Sequence, residues 1–131
     1  MIILDTCILI YDALTPERLS GKALRAIEDG EESGRLACAD ISLWEIAMLI
    51  GKGRLDPGTD CRTFIDMVLA ARGIQAIPVT PEIACLSVNH AAFAHHDPAD
   101  RLIAATTLHG KGTLVTCDER LLQVKGLKTV W

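Results

Sequence analysis

Met1-Ile2-Ile3-Leu4-Asp5-Thr6 opens the chain. Four apolar residues in a row, without alternation, read as a strand buried on both faces. Strands of that kind belong to parallel sheets covered by helices. Asp5 and Thr6 end the run. In open α/β sheets, ligand sites form just outside the carboxyl ends of the strands. Asp5 is therefore a candidate site residue by position, the alternative being a turn-forming aspartate.

Outward from this strand the chain alternates. Ile8 to Tyr11 forms a helical turn. Thr15 and Pro16 open a helix with Leu19, Ala23, Ala26 and Ile27 on one stripe, and the polar stretch 28–34 closes it. Residues 36–39 make a second strand. Residues 40–50 form the most hydrophobic helix, apolar nearly all round and so expected to be buried, with Trp44 in the core. A Gly- and Pro-containing loop over 51–61 leads to a helix over 62–71. A third strand over 74–79 precedes a helix over 82–92. The helix from Pro98 runs to about His109, where Gly110 ends it. A strand over 113–116, a helical turn after Cys117 and a last strand over 127–131 complete the chain. This βα alternation predicts a parallel sheet with helices on both faces. At 131 residues, half of them hydrophobic, the chain suits one domain, 1–131, with an aliphatic core.

The second informative stretch is Asp97-Pro98-Ala99-Asp100-Arg101-Leu102-Ile103-Ala104-Ala105. Asp97 is placed to cap a helix, and Pro98 suits its first position. Asp100 shares a face with Ile103, Ala104 and Thr107, so a carboxylate begins a stripe that heads for the core. A carboxylate buried there must be paired, neutralised or bound to a cation. Two readings stand for Glu45: partner in a Ser42-x-x-Glu45 capping box, or a ligand inside an apolar helix. Asp118 follows the fourth strand and either caps the next turn or joins a site. In a parallel α/β domain, strand C-termini and helix N-termini share one edge of the sheet. Asp5, Glu45, Asp100 and Asp118 can therefore converge there. Their mutual repulsion would be resolved by a hard divalent cation, Mg²⁺ or Mn²⁺, with phosphoryl transfer to water as the chemistry.

Composition restricts the alternatives. The 17 acidic and 13 basic residues give a net charge of −4, which argues against a simple nucleic-acid coat. With Asp5, Glu45, Asp97, Asp100 and Asp118 assigned to a site, the remaining balance is close to neutral and tolerates phosphates. Cys7, Cys38, Cys61, Cys85 and Cys117 are odd in number, widely spaced and without a C-x-x-C pair. They read mostly as small buried residues in a reducing compartment. No apolar run approaches a membrane span, and the N-terminus lacks the features of a signal peptide, so the expected location is cytoplasmic. His95-His96 beside Asp97 is a weak transition-metal signal without a third ligand. Arg101 and Arg120 are candidates for phosphate contact, or for pairing with Asp97 and Glu119.

Taken together, Asp5-Thr6, Glu45 in its apolar helix, the segment from Asp97 to Ala105 and Thr116-Cys117-Asp118 resemble the PIN domain. Within that family they look like the VapC-type toxins of toxin–antitoxin pairs. The resemblance spans essentially the whole chain. It implies an α/β fold, a three-layer α/β/α sandwich with a central, mostly parallel sheet of four to five strands. It implies a Mg²⁺- or Mn²⁺-dependent endoribonuclease in which Asp5, Glu45, Asp100 and Asp118 hold the metal or its waters. Asp97, Thr116 and Thr6 are accessory by the same resemblance. It also implies an RNA substrate, an inhibitory VapB-like antitoxin and a homodimer. Cys7 departs from the pattern, since Ser, Asn or His is commoner there.

Two other classes compete. Phosphoaspartate domains also gather acids around Mg²⁺, but one type needs a second Asp where this chain has Cys7, and the receiver type needs paired early acids and a late Lys. A catalytically silent PIN-like binding module would keep the fold without the cleavage.

Overall fold

The computed structural model describes residues 1–131. Strand β1 (Ile2–Leu4) lies at the centre of a five-stranded sheet. Helix α1 (Thr6–Leu14) follows it directly, and α2 (Gly21–Glu32) leads to β2 (Leu36–Ala39). Helices α3 (Ile41–Gly51) and α4 (Cys61–Ala71) lead to β3 (Gln75–Ile77). Then come α5 (Pro81–Asn89), α6 (Pro98–His109), β4 (Thr113–Val115), α7 (Glu119–Leu122) and β5 (Thr129–Val130). The strand order is β3-β2-β1-β4-β5, and every pairing is parallel. The expected fold class is present, with the sheet wholly parallel.

Successive residues of a strand point to opposite faces, and here both faces are apolar. Ile3, Ala37, Ala39 and Leu114 point into one core with Ile83, Phe93, Ile103 and Leu121. Leu4, Leu36, Cys38 and Val115 point into the other with Ile8, Ile27, Ile46, Phe64 and Val68. This is why β1 and β2 read as unbroken apolar runs. Gly112 precedes β4 because a Cβ there would meet the Met1 carbonyl at 2.8 Å. On the second face, Arg72 joins three elements by donating to both carboxylate oxygens of Asp12 (2.7 and 2.9 Å) and to Glu31 (2.6 Å).

Several local expectations are corrected. Thr15-Pro16 starts only a 3₁₀ turn, Pro16–Arg18, and α2 begins after Ser20, whose hydroxyl accepts from Ala23 N. The turn at Ile8 is part of the nine-residue α1. The helix read over 82–92 ends at Asn89 and passes into a 3₁₀ turn that buries Phe93. Trp44 is 58% exposed rather than core. Helix α3 packs against the molecule with Ser42 and Ile46 fully buried, so its all-round apolarity exceeds what its packing needs. Among the cysteines only Cys38 is buried; Cys85 is exposed and the other three are half-buried.

Candidate functional site

The register Leu4↔Val115 sets the C-terminal ends of β1 and β4 side by side. Asp5 N donates to Val115 O at 3.0 Å, extending the ladder by one rung. The next residues on the two strands are Asp5 and Thr116, and their side chains meet: Thr116 Oγ1 donates to Asp5 Oδ2 at 2.6 Å. Asp5 Oδ1 accepts from Thr6 N at 2.8 Å and so caps α1. Asp5 is 5% exposed. Burial raises its pKa above the ordinary carboxylate value, and the charge of Asp118 adds to this, while the bonds from Thr116, Thr6 and Cys7 oppose it.

Glu45 reaches the same place from α3. Thr6 Oγ1 donates to Glu45 Oε1 at 2.5 Å and lies 2.9 Å from Ser42 Oγ. A hydroxyl has one proton. With that proton committed to Glu45, Thr6 accepts from Ser42. The capping box is thereby overturned: Ser42 is already inside α3, and its hydroxyl serves Thr6, not a helix end. Burial raises the pKa of Glu45, with smaller contributions from the charges of Asp5 and Asp97.

Asp100 occupies the first turn of α6, above the fully buried Ile103, Ala104 and Thr107. Its pKa is raised to about 7, first by burial and then by the charges of Asp5, Asp118, Glu45 and Asp97. Asp118 caps α7 through Arg120 N at 2.9 Å, and its own N–H donates to Thr116 Oγ1 at 3.0 Å. Both readings of Asp118, as cap and as member of a site, therefore hold together.

These four acids, with Thr6, Cys7, Ile10, Leu49 and Cys117, line one open cleft of about 400 Å³. None of the protein's three ion pairs engages a cleft carboxylate. The site is thus an uncompensated concentration of negative charge. An apolar groove of similar volume between α1 and α4 contains Leu14, Phe64 and Met67 beside the Arg72 ion pairs, but no comparable cluster.

The remaining candidates lie as follows. Asp97 is exposed at the start of α6 and makes no side-chain cap, although its charge reaches Glu45 and Asp100. Arg101 donates to the carbonyls of His96 (2.7 Å) and Ala94 (2.9 Å), and Arg120 donates to that of His95 (2.9 Å). Both fasten the loop before α6, and neither forms an ion pair with Asp97 or Glu119. His95 is exposed, and His96 Nδ1 is buried without a partner. From the sequence, Ser42 reads only as a cap and Cys117 only as a small buried residue. Their neighbours are 36 and 110 residues away, and no local pattern marks such contacts.

A PIN domain family model matches residues 2–127. The chain belongs to the PIN domain family. Ribonuclease VapC22 of Mycobacterium tuberculosis is 33% identical over 132 residues, covering 99% of this chain and 98% of that protein. Among solved structures, this chain resembles a chain in the crystal structure of VapBC2 from Rickettsia felis bound to a DNA fragment from their promoter. The TM-score is 0.73 at 18% identity, over 99% of this chain and 98% of that one. It also resembles one in FitAcB from Neisseria gonorrhoeae, with a TM-score of 0.66 at 21% identity, over 100% and 97% of the two chains. At these identities the structural likeness establishes the fold of this PIN domain. No helix in it is long and apolar enough to cross a membrane.

The donor set of the cleft is chemically specific. Four carboxylates offer only oxygen, which suits hard divalent cations. No three Asp, Glu, His or Cys side chains stand close enough to make a closed ligand cage. Mg²⁺ does not require such a cage, since it keeps several of its waters and takes only one or two carboxylates directly.

Proposed function

We propose that the cleft is the active site of a VapC-like endoribonuclease that hydrolyses RNA phosphodiester bonds with Mg²⁺ or Mn²⁺. One observation carries this reading. Asp5, Glu45, Asp100 and Asp118 come from four distant parts of the chain and meet, unpaired by any cation, in one open cleft. Fold stability does not call for such an arrangement, because like charges brought together raise one another's pKa. The 33% identical ribonuclease relative supports the same activity.

The residues divide the work. Asp5 and Glu45 are held in fixed orientations by Thr116 and Thr6, so they meet a ligand already aligned. Asp100 and Asp118 complete the acidic ring, and Asp97 adds to its field. A hard divalent ion, when bound, activates water and neutralises charge on the phosphate. The carboxylates alone would repel RNA, so the apoprotein is expected to be inert. Arg101 and Arg120 shape the loop 94–96 beside the site and are available to phosphates only in part. A VapB-like antitoxin is the proposed inhibitor, covering the open cleft, and a homodimer is the proposed assembly.

The test is cleavage of a mixed cellular RNA pool by antitoxin-free protein, with Mg²⁺, with Mn²⁺ and with EDTA. Defined fragments in both metals and none in EDTA are expected. Binding of RNA without cleavage in any metal would overturn the reading and favour a silent binding module.

A further inference from the structure

Cys7 Sγ and Cys117 Sγ lie 3.4 Å apart. They are 110 residues apart in sequence, and the sheet brings them together. Cys7 is in the first turn of α1, three residues beyond Leu4. Cys117 is two residues beyond Val115, which pairs with Leu4. Both residues line the acidic cleft and both are half-buried. Burial and the Asp5 charge push the Cys7 thiol up, which leaves Cys117 as the sulfur that meets an oxidant first. Cys38 provides the contrast: it is wholly buried in the core and has no thiol partner.

We propose that Cys7 and Cys117 form an oxidation site, a dithiol that closes to a disulfide and switches the cleft off. A disulfide needs a sulfur separation of about 2.05 Å, so closure requires a movement of about 1.4 Å shared between two side chains. With hydrogen peroxide, the O–O bond breaks and an S–O bond forms, giving one sulfenic acid and one water. The second sulfur then displaces the hydroxyl group as a second water, and the S–S bond forms. Two thiols lose two electrons and two protons, and one peroxide is reduced to two waters. A thiol reductant reverses the step by exchange.

The bond would change the cleft in two ways. Cys7 Sγ now faces Asp5 Oδ2 at 3.7 Å as a thiol donor, and a disulfide sulfur has no proton to donate. Drawing Cys117 toward Cys7 also pulls on Asp118, the next residue. Bond formation is independent of the ribonuclease reading; its effect on cleavage rests on that reading.

The experiment treats fully reduced, full-length protein with stoichiometric hydrogen peroxide, alkylates it, and maps non-reduced peptides by mass spectrometry. A linked peptide joining Cys7 to Cys117 within a single chain, which runs as a monomer on non-reducing denaturing gels, is expected. The metal-free Tm should rise by about 10 °C, because a loop of over 100 residues is closed. Dithiothreitol should reverse both changes. RNA cleavage should fall at least 10-fold on oxidation and return on reduction. In Cys117→Ala, the oxidised-to-reduced rate ratio should stay near one, taken against that variant's own reduced rate. Separate sulfinic acids at the two positions, or pairing dominated by Cys85 of a second copy, would overturn the site. A linked peptide with unchanged cleavage would overturn the switch. If neither form cleaves RNA, the ribonuclease reading fails, and the linked peptide and Tm still decide the site.

Discussion

Thr116 Oγ1 donates to Asp5 Oδ2 at 2.6 Å, across the ends of two adjacent parallel strands. The same oxygen accepts from Asp118 N at 3.0 Å. One buried hydroxyl therefore connects two of the four cleft acids. Thr116 itself is fully buried. Thr116→Val keeps the shape and removes the hydroxyl. It is expected to cost about 1–3 kcal/mol of stability, since a buried acceptor and a buried N–H lose their partner. Cleavage should fall about 10- to 100-fold, as for other residues that orient metal ligands. Thermal melts and initial rates on one RNA substrate check both numbers.

Asp100→Asn removes a charge that the folded protein resists. Cleavage should be lost while the circular dichroism spectrum is unchanged. In EDTA the variant should melt higher than the wild type, because repulsion among the cleft acids is relieved. The pH dependence has a definite sign. Asp100 titrates near 7 when folded, against an ordinary value of 3.8. The folded protein thus holds a proton that the unfolded chain releases. The associated stability is full below 3.8 and is lost as pH rises through about 7. The advantage of Asp100→Asn in metal-free Tm should therefore be largest above pH 7 and shrink toward pH 5. A constant or growing advantage on acidification would contradict the clustered carboxylates.

Arg72 holds α1, α2 and α4 together through Asp12 and Glu31. Asp12 has a side chain only 10% exposed. Arg72→Met leaves that carboxylate poorly solvated and unpaired. A loss of about 2–3 kcal/mol is expected by urea unfolding, toward the lower end for buried pairs because Glu31 is 41% exposed. RNA cleavage per folded molecule should not change, since the pair lies outside the acidic cleft.

Trp44→Ala should cost less than about 1 kcal/mol. A core tryptophan would cost about 3–5 kcal/mol, but this one is 58% exposed. Chemical denaturation distinguishes the two values.

Much of this was legible because the signals were local. Pro98 and Gly110 bracket α6 at the expected residues, and the unbroken apolar run of β1 announced a sheet covered on both faces. The misreadings share a cause, which is competition between local signals or contacts with remote partners. Thr15-Pro16 and Ser20 both look like helix starts, and the longer helix follows Ser20. Trp44 read as core because α3 is apolar all round, whereas Trp44 is the one large apolar side chain of that helix left exposed. Ser42 had a local explanation as a cap, but its hydroxyl is used by Thr6, 36 residues earlier. The four acids were legible individually, each at a strand end or in a helix facing the core. Their convergence was legible from the βα alternation, which sets strand C-termini and helix N-termini on one edge of the sheet.

The most direct measurement is calorimetric titration of Mn²⁺ into metal-free protein and into Asp100→Asn. Saturable binding to the wild type, weakened at least 10-fold in the variant, is the expected result. Equal affinity in the two proteins, or no binding to the wild type, would contradict a metal site built from these carboxylates.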